Sequence, residues 1–255
     1  MHYLGGKFRI SKPLSEFLNS KMSENDTFVD LFCGSLNIAT NIKSKNIILN
    51  DKHRYLIKMW EKCLKGWTPP SFVSEEEYRQ IKQNPDLYDP ALVGFVGFAC
   101  SFSGKWWGGY CRDNTGRNYA KNGSNSIVKK IDKLRGKNIT LFNLDYSDVE
   151  IPENSVVYCD IPYRNSTRYS PKEAGSFDHD LFYEWVKNMS RQKSCQIFVS
   201  EYSSNIPKGF ETVWECQSKK DIRDKDGIQR KTTEVLIRGD QGRLFLEEFP
   251  PNPLV

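Results

Sequence analysis

The run Ser155-Val156-Val157-Tyr158-Cys159 and the four residues after it, Asp160-Ile161-Pro162-Tyr163, constrain this chain more than any other segment. A short apolar run rich in β-branched residues reads as a strand buried on both faces, as in a parallel sheet covered by helices. Such sheets bind ligands at the carboxyl ends of their strands. Here that end carries a carboxylate, a turn stiffened by proline and an aromatic ring. An acid that accepts hydrogen bonds from an amino group, beside a ring that stacks on a base, suits a site that modifies amino groups. A polar strand end closed by an ordinary proline turn is spelled with the same letters, so the tetrapeptide needs corroboration from the rest of the chain.

The remaining strands fit an α/β reading. Thr27 to Phe32 reads as a strand, Gly34 as a turn, and Ser35 to about Ile42 as a helix. Asn46 to Asn50 is a second strand, followed by Asp51 and a helix to about Lys65. That is the βαβα opening of a parallel sheet. The alternation then stops. From Trp67 to about Lys137 come a proline pair, acidic helical turns, the apolar segment Ala91 to Ala99, and the Gly- and aromatic-rich stretch Ser103 to Tyr110. This block, residues 67–138, is expected to be an inserted domain between two parts, 1–66 and 139–255, of the sheet domain. Strands resume at Ile139 to Asn143, Ser155 to Cys159 and Gln196 to Ser200, with an amphipathic helix from about His179 to Met189. Two last strands are placed near Glu211 to Cys216 and Thr232 to Arg238. The loop between them, Lys219 to Lys231, has six basic and three acidic residues and is expected to be mobile, and the tail beyond Gly239 irregular.

At 255 residues the chain is long enough for one large core, or a core plus an insertion. No stretch approaches the roughly 20 apolar residues of a membrane span, and the start lacks the basic-then-apolar pattern of a signal peptide. The seven cysteines are scattered without a Cys-x-x-Cys pair, and there are three histidines, so reduced thiols, no metal site and a cytoplasmic location are expected. Net charge is +5, but it is unevenly spread. Between Ser101 and Thr140 lie nine basic residues against only Asp113 and Asp132. A local basic field suits a polyanion, although a solvated helix face explains Lys129 to Lys137 equally well.

Several candidates fall on the same sheet edge. Gly34 lets the backbone turn tightly beside a ligand. A dinucleotide fingerprint would need three spaced glycines, so a smaller nucleoside is favoured over NAD or FAD. Asp51, just past the second strand, is placed to meet ribose hydroxyls, with a helix cap as its ordinary role. Asp145 and Tyr146 follow the next sheet strand, and Gly5-Gly6-Lys7 is either a plain turn or a carboxylate cradle. In this order the chain resembles the Dam-type N6-adenine DNA methyltransferases. Their pattern is aromatic-x-Gly-Gly-Lys, Phe-x-x-x-Phe-x-Gly, an acidic residue after the second strand, a recognition domain, and Asp-Pro-Pro-Tyr. Arg230 to Leu236 looks like the family's last strand, and Phe98 to Arg112 like that of phage and prophage members.

The resemblance implies a Rossmann-like methyltransferase fold: a mixed sheet, mostly parallel with an antiparallel last strand, bearing a small, mostly helical recognition insertion. It implies S-adenosylmethionine as methyl donor. Tyr3, Gly6, Lys7, Asp30, Phe32 and Gly34 would surround its methionine end, Asp51 its ribose, and Asp145 and Tyr146 its adenine. Asp160 and the main-chain oxygen of Ile161 would accept hydrogen bonds from the target amino group. Pro162 biases Ile161 to an extended conformation, and Tyr163 would stack on an adenine flipped from duplex DNA. Phe198, Tyr202 or Tyr169 would add apolar walls. Two positions depart from the pattern. Ile161 stands where the family usually has Pro, and Ser35 and Leu36 where many relatives have Gly. In the insertion, Lys105, Trp106, Trp107, Tyr110, Arg112, Arg117, Lys129, Lys130 and Lys133 are the candidate DNA contacts, one of the two tryptophans being expected to pack a core instead. The alternatives are methylation of cytosine N4, RNA or a protein amide, and a DNA-binding protein with a decayed donor pocket. A role in restriction-modification is open, and a monomer is the default.

Overall fold

The computed structural model describes residues 1, 3–112, 116–163, 177–192, 194–223 and 229–239. Seven strands form one sheet: β1 (Thr27–Asp30), β2 (Asn46–Asn50), β3 (Asn138–Phe142), β4 (Val156–Cys159), β5 (Gln196–Tyr202), β6 (Phe210–Arg223) and β7 (Gln229–Gly239). Their order is β3-β2-β1-β4-β5-β7-β6. Strands β1 to β5 run parallel, and β7 lies antiparallel to both β5 and β6. This is the mixed, mostly parallel sheet expected from the sequence. Six α-helices are described: α1 (Ser11–Asn19), α2 (Arg54–Leu64), α3 (Glu75–Gln83), α4 (Pro90–Ala99), α5 (Tyr119–Leu134) and α6 (His179–Gln192). Among the described residues no helix is long and apolar enough to cross a membrane, and no three His, Cys, Asp or Glu residues are grouped to hold a metal.

The period-2 alternation of side chains splits the core into two layers. On one face Phe28, Ile47, Val156, Tyr158 and Phe198 pack with Leu14 and Leu18 of α1 and with residues of α2, α4 and α5. On the other, Val29, Val157, Cys159, Ile197 and Val199 meet Phe182 and Val186 of α6. Each such fully buried apolar side chain contributes on the order of 1.5–3 kcal/mol against exposure. Residues of the 67–138 segment, including Val73, Tyr78, Ile81 and Phe95, join the first layer.

Helix α4 explains that sharing. Pro90 opens it, Asp89 caps it by accepting from the Ala91 N–H at 2.9 Å, and its run is apolar on all sides, as a buried helix requires. Gly94 lets it press on α2: a Cβ there would lie 2.1 Å from the Tyr55 carbonyl oxygen.

Two local expectations differ from the structure, and one helix falls where no element was expected. Residues 35–42 form turns and a short 3-10 segment, Ala39–Asn41, rather than an α-helix. Leu36 has φ +58°, which breaks an α-helical path, and its side chain is fully buried. The segment before β1 contains α1, whose Pro13 is tolerated because it falls in the first turn. Strands β6 and β7 extend to Arg223 and from Gln229, so most of the expected loop at 219–231 is strand. Residues 224–228 and the tail from 240 lie outside the described residues, as does Tyr169.

Candidate active site

The carboxyl ends of β1, β2 and β4, together with the amino-terminal segment, enclose a cleft of about 560 Å³. That is an ordinary size for a small-molecule site. Its lining includes Tyr3, Gly6, Lys7, Asp30, Phe32, Gly34, Asp51, Asp160, Ile161, Pro162 and Tyr163. Parallel pairing brings them together, since β1 lies between β2 and β4 and all three strands end on one edge.

The turn after β1 is held from several sides. The Gly34 N–H donates to Asp51 Oδ2 at 3.0 Å, and Trp60 Nε1 donates to the Gly34 carbonyl at 2.9 Å. Gly34 has φ +46°, and a Cβ there would stand 3.0 Å from the Tyr3 ring, so the position favours glycine on both counts. Leu36 has the same left-handed backbone without that freedom, a strain of roughly 1–2 kcal/mol. Lys130 of α5 braces this turn, donating to the Ser35 carbonyl and, at 2.6 Å, to Asn37 Oδ1. Burial, with Lys133 nearby, pulls the Lys130 pKa down to about 7.

Two acids line the cleft at the ends of β1 and β2. Asp51 accepts from the N–H groups of Gly34 and His53, and burial still raises its pKa to about 6. Asp30 is buried, and its Oδ1 has no hydrogen-bond partner. Burial, then the charges of Asp160 and Asp51, push its carboxyl well above the usual range.

At the β4 end of the cleft, Lys7 Nζ donates to Asp160 Oδ1 at 2.6 Å. The same ammonium lies 3.9 Å from Glu234 Oε2 and 4.4 Å from the centre of the Tyr163 ring. Burial pulls the Lys7 pKa down, but Asp160 and Glu234 outweigh it and the net shift is upward. The Lys7 side chain thus reaches the Asp160 carboxylate, past the turn where the sequence placed it. The turn itself is fixed by His179, whose Nε2 is 2.7 Å from the Pro162 carbonyl oxygen. Tyr202 meets the Tyr163 ring edge-on at 4.5 Å.

Some of the other candidates sit apart from the cleft. Asp145 pairs with Lys52 at 2.9 Å, and Tyr146 packs among Phe32, Phe177, Phe182 and Trp185; neither lines the cleft. Phe198 is fully buried beside Phe17 in the core. Within the insertion, Lys105 and Trp106 line the cleft. Trp106 stacks on Tyr55 and fills a notch at Gly97, where a Cβ would be 2.2 Å from its ring. Trp107 packs on Tyr78, Tyr110 donates its hydroxyl to the Val73 carbonyl at 2.7 Å, and Arg112 pairs with Glu75. Arg117, Lys129 and Lys133 are exposed, with Arg117 lying 6.0 Å over the Tyr119 ring and Lys133 bonded to Asn41 Oδ1 at 3.4 Å.

Sequence reasoning missed His53, Phe98, His179 and Glu234. His53 and Phe98 are cleft walls, and burial holds the His53 imidazole down to about 4, so it is neutral. Only Glu234 carried a signal, since it lies in the last-strand segment singled out for its resemblance.

Residues 3–90 match the model of the D12 class N6 adenine-specific DNA methyltransferases. Over 98% of its length the chain is 23% identical to the type II methyltransferase M.FokI of Planomicrobium okeanokoites, covering 42% of that protein. Over 66% of its length it is 25% identical to the modification methylase StsI of Streptococcus sanguinis, covering 29% of that protein. The chain therefore spans less than half the length of these relatives. Among solved structures, an rRNA methylase from Streptococcus thermophilus aligns over 88% of this chain and 93% of its own, with 8% identity and a TM-score of 0.37. The precorrin 8w decarboxylase of Methanobacterium thermoautotrophicum aligns over 91% and 90%, with 11% identity and a TM-score of 0.37. From Tyr3 to Pro90, a stretch that contains Asp30, Gly34 and Asp51 of the cleft, the chain is similar to the D12 class N6 adenine-specific DNA methyltransferases.

Proposed function

We propose that this protein transfers a methyl group from S-adenosylmethionine to N6 of an adenine extruded from DNA. The observation that carries the reading is the convergence on one cleft of an amine-accepting carboxylate, Asp160, with a second pair of acids, Asp30 and Asp51, across it. The residues suit the donor. Asp30 offers a buried, unpartnered oxygen to an ammonium group, Asp51 offers a carboxylate to ribose hydroxyls, and the Gly34–Tyr3 contact leaves a shelf that a Cβ would fill. When bound, S-adenosylmethionine supplies a methyl group on a sulfonium centre that departs as a neutral thioether.

The chain's own residues then have defined tasks. Lys7 donates to Asp160 Oδ1, and the Asp160 carboxylate is the acceptor for the target amino group. The Ile161 carbonyl is the second acceptor; any residue supplies it, so the loss of the family's proline there is tolerated. Two such bonds draw the nitrogen lone pair out of conjugation, and the carboxylate receives the proton that nitrogen sheds once the N–C bond forms. Tyr163 provides the stacking surface. Trp106, Phe98 and His53 exclude water from the donor side, while exposed Lys129, Lys133 and Arg117 suit phosphates. On this reading residues 67–138 serve as the recognition domain and the protein works in the cytoplasm as a monomer.

The test is mass spectrometry of digested, initially unmethylated DNA after incubation with protein and S-adenosylmethionine. N6-methyladenine that disappears with Asp160→Asn is the expected result. Methylated cytosine would move the target base and leave the donor site standing. Absence of both methyl transfer and calorimetric donor binding would leave a DNA-binding protein with a decayed pocket.

A further inference from the structure

Glu234 lies outside the cleft lining, yet it completes the charge pattern of the catalytic end. It stands on β7 opposite Tyr202 of β5, so the antiparallel register carries it to the site from two strands beyond β4. Its Oε2 is 3.9 Å from Lys7 Nζ and 3.5 Å from the Tyr163 hydroxyl. Lys7, with a 5% exposed side chain, is thus gripped between two carboxylates, Asp160 at 2.6 Å and Glu234 beyond it. Its ammonium also lies over the face of Tyr163.

We infer that Glu234 is a positioning residue for methyl transfer: it holds Lys7 and the Tyr163 hydroxyl, and keeps the catalytic cluster net negative while Lys7 is charged. This rests on the methyltransferase reading above. The physical reason is electrostatic. An Asp160–Lys7 pair alone carries no net charge, so the ammonium offsets part of the carboxylate's field at the amino nitrogen. That nitrogen becomes positive as its new bond to carbon forms and before its proton leaves. A second carboxylate makes the cluster −1, and a fixed negative charge in a water-poor site favours the charge that develops in the transition state. Glu234 also spares Asp160, since Lys7 shared between two acids leaves the catalytic carboxylate a stronger acceptor. The long contact to Tyr163 is of the kind that tightens when substrate binds.

The experiment compares Glu234→Gln and Glu234→Asp with the parent enzyme, reading kcat, KM for donor and for a duplex substrate, and the pH profile of kcat. Lys7 is faced by Asp160 and Tyr163 after β4, by Glu201 and Tyr202 on β5 and by Glu234, with Asp30 facing Asp160. Gln keeps the shape and removes one of the charges that hold the Lys7 proton. The expected result is a kcat about tenfold lower at nearly unchanged KM, an alkaline limb moved to lower pH, and most of the loss restored by Asp. Parent-like kcat and pH profile in Glu234→Gln would overturn the inference, as would a Glu234→Asp variant as slow as Gln. A lysine-13Cε NMR titration of Lys7 gives a readout independent of turnover. If the parent transfers no methyl group, the function falls; the charge coupling then stands if Gln lowers the Lys7 pKa and falls if it does not.

Discussion

The sheet edge and the 67–138 segment use charge in opposite ways. At the edge, Asp30, Asp51 and Asp160 converge on one cleft, with Asp30 and Asp51 held above their ordinary carboxylate pKa by burial. In the segment the basic surplus visible in the sequence is dispersed by folding. Lys130 turns inward to the turn after β1, Lys137 donates to the Ile42 and Ser44 carbonyls, Arg112 pairs with Glu75, and Arg135 with Asp132. A cluster of like charges along a chain is therefore a poor measure of surface field, because lysine stems reach back to bond carbonyls. Acids spread along the chain become a site, because parallel strands end together.

The sharpest way to break this comparison is Asp160→Asn. It keeps the shape of the acceptor and removes the charge, so kcat should fall by about a thousandfold or more in a methyl-transfer assay, with donor binding retained. A loss below tenfold would mean that the edge carboxylates are not a working set. Next in size is Gly94→Ala. The added Cβ meets the Tyr55 carbonyl at 2.1 Å, and forcing α4 off α2 should cost about 1–3 kcal/mol in urea unfolding. A shift within measurement error would show that the segment is only loosely joined to the sheet's core.

The acids themselves predict a pH effect. Asp51 accepts more strongly from a ribose when ionised, and its pKa is raised to about 6. Donor affinity should hold above that pH and weaken below it, by at most about tenfold per unit under the usual one-proton relation. Calorimetry across pH 5 to 8 checks this, and Asp51→Asn should flatten the limb, leaving only the slope due to Asp30. His53, already neutral above about 4, should not contribute. The smallest effects separate two neighbouring lysines. Lys129→Ala should reduce the salt slope of DNA binding by roughly one and leave donor affinity alone. Lys130→Ala should weaken donor binding several-fold, with the salt slope unchanged, because its ammonium serves the donor turn.

Much of the α/β order was legible because it depends on local pattern. Apolar runs of four or five residues, Gly34, and the proline after Asp160 mark strands and turns without reference to anything distant. The strand edge could be assembled from sequence order alone, since parallel strands joined by right-handed crossovers share one functional end. The extent of the β6–β7 hairpin was not legible, because its charged residues resemble a loop until each strand gains a partner. Neither was the turn at 35–42, where tertiary bonds from Trp60 and Lys130 hold Leu36 in a backbone that its own preference opposes.

By itself, then, the sequence determined which strands exist, which edge they share, and which acids and aromatic ring stand there, all consequences of period-2 burial and turn chemistry. Tertiary structure alone decided that Lys7 bridges Asp160 and Glu234, that Trp106 walls the cleft, and that Lys130 braces the turn after β1. Those contacts join residues about 50 to 230 positions apart, set by strand register and helix packing rather than by local preference.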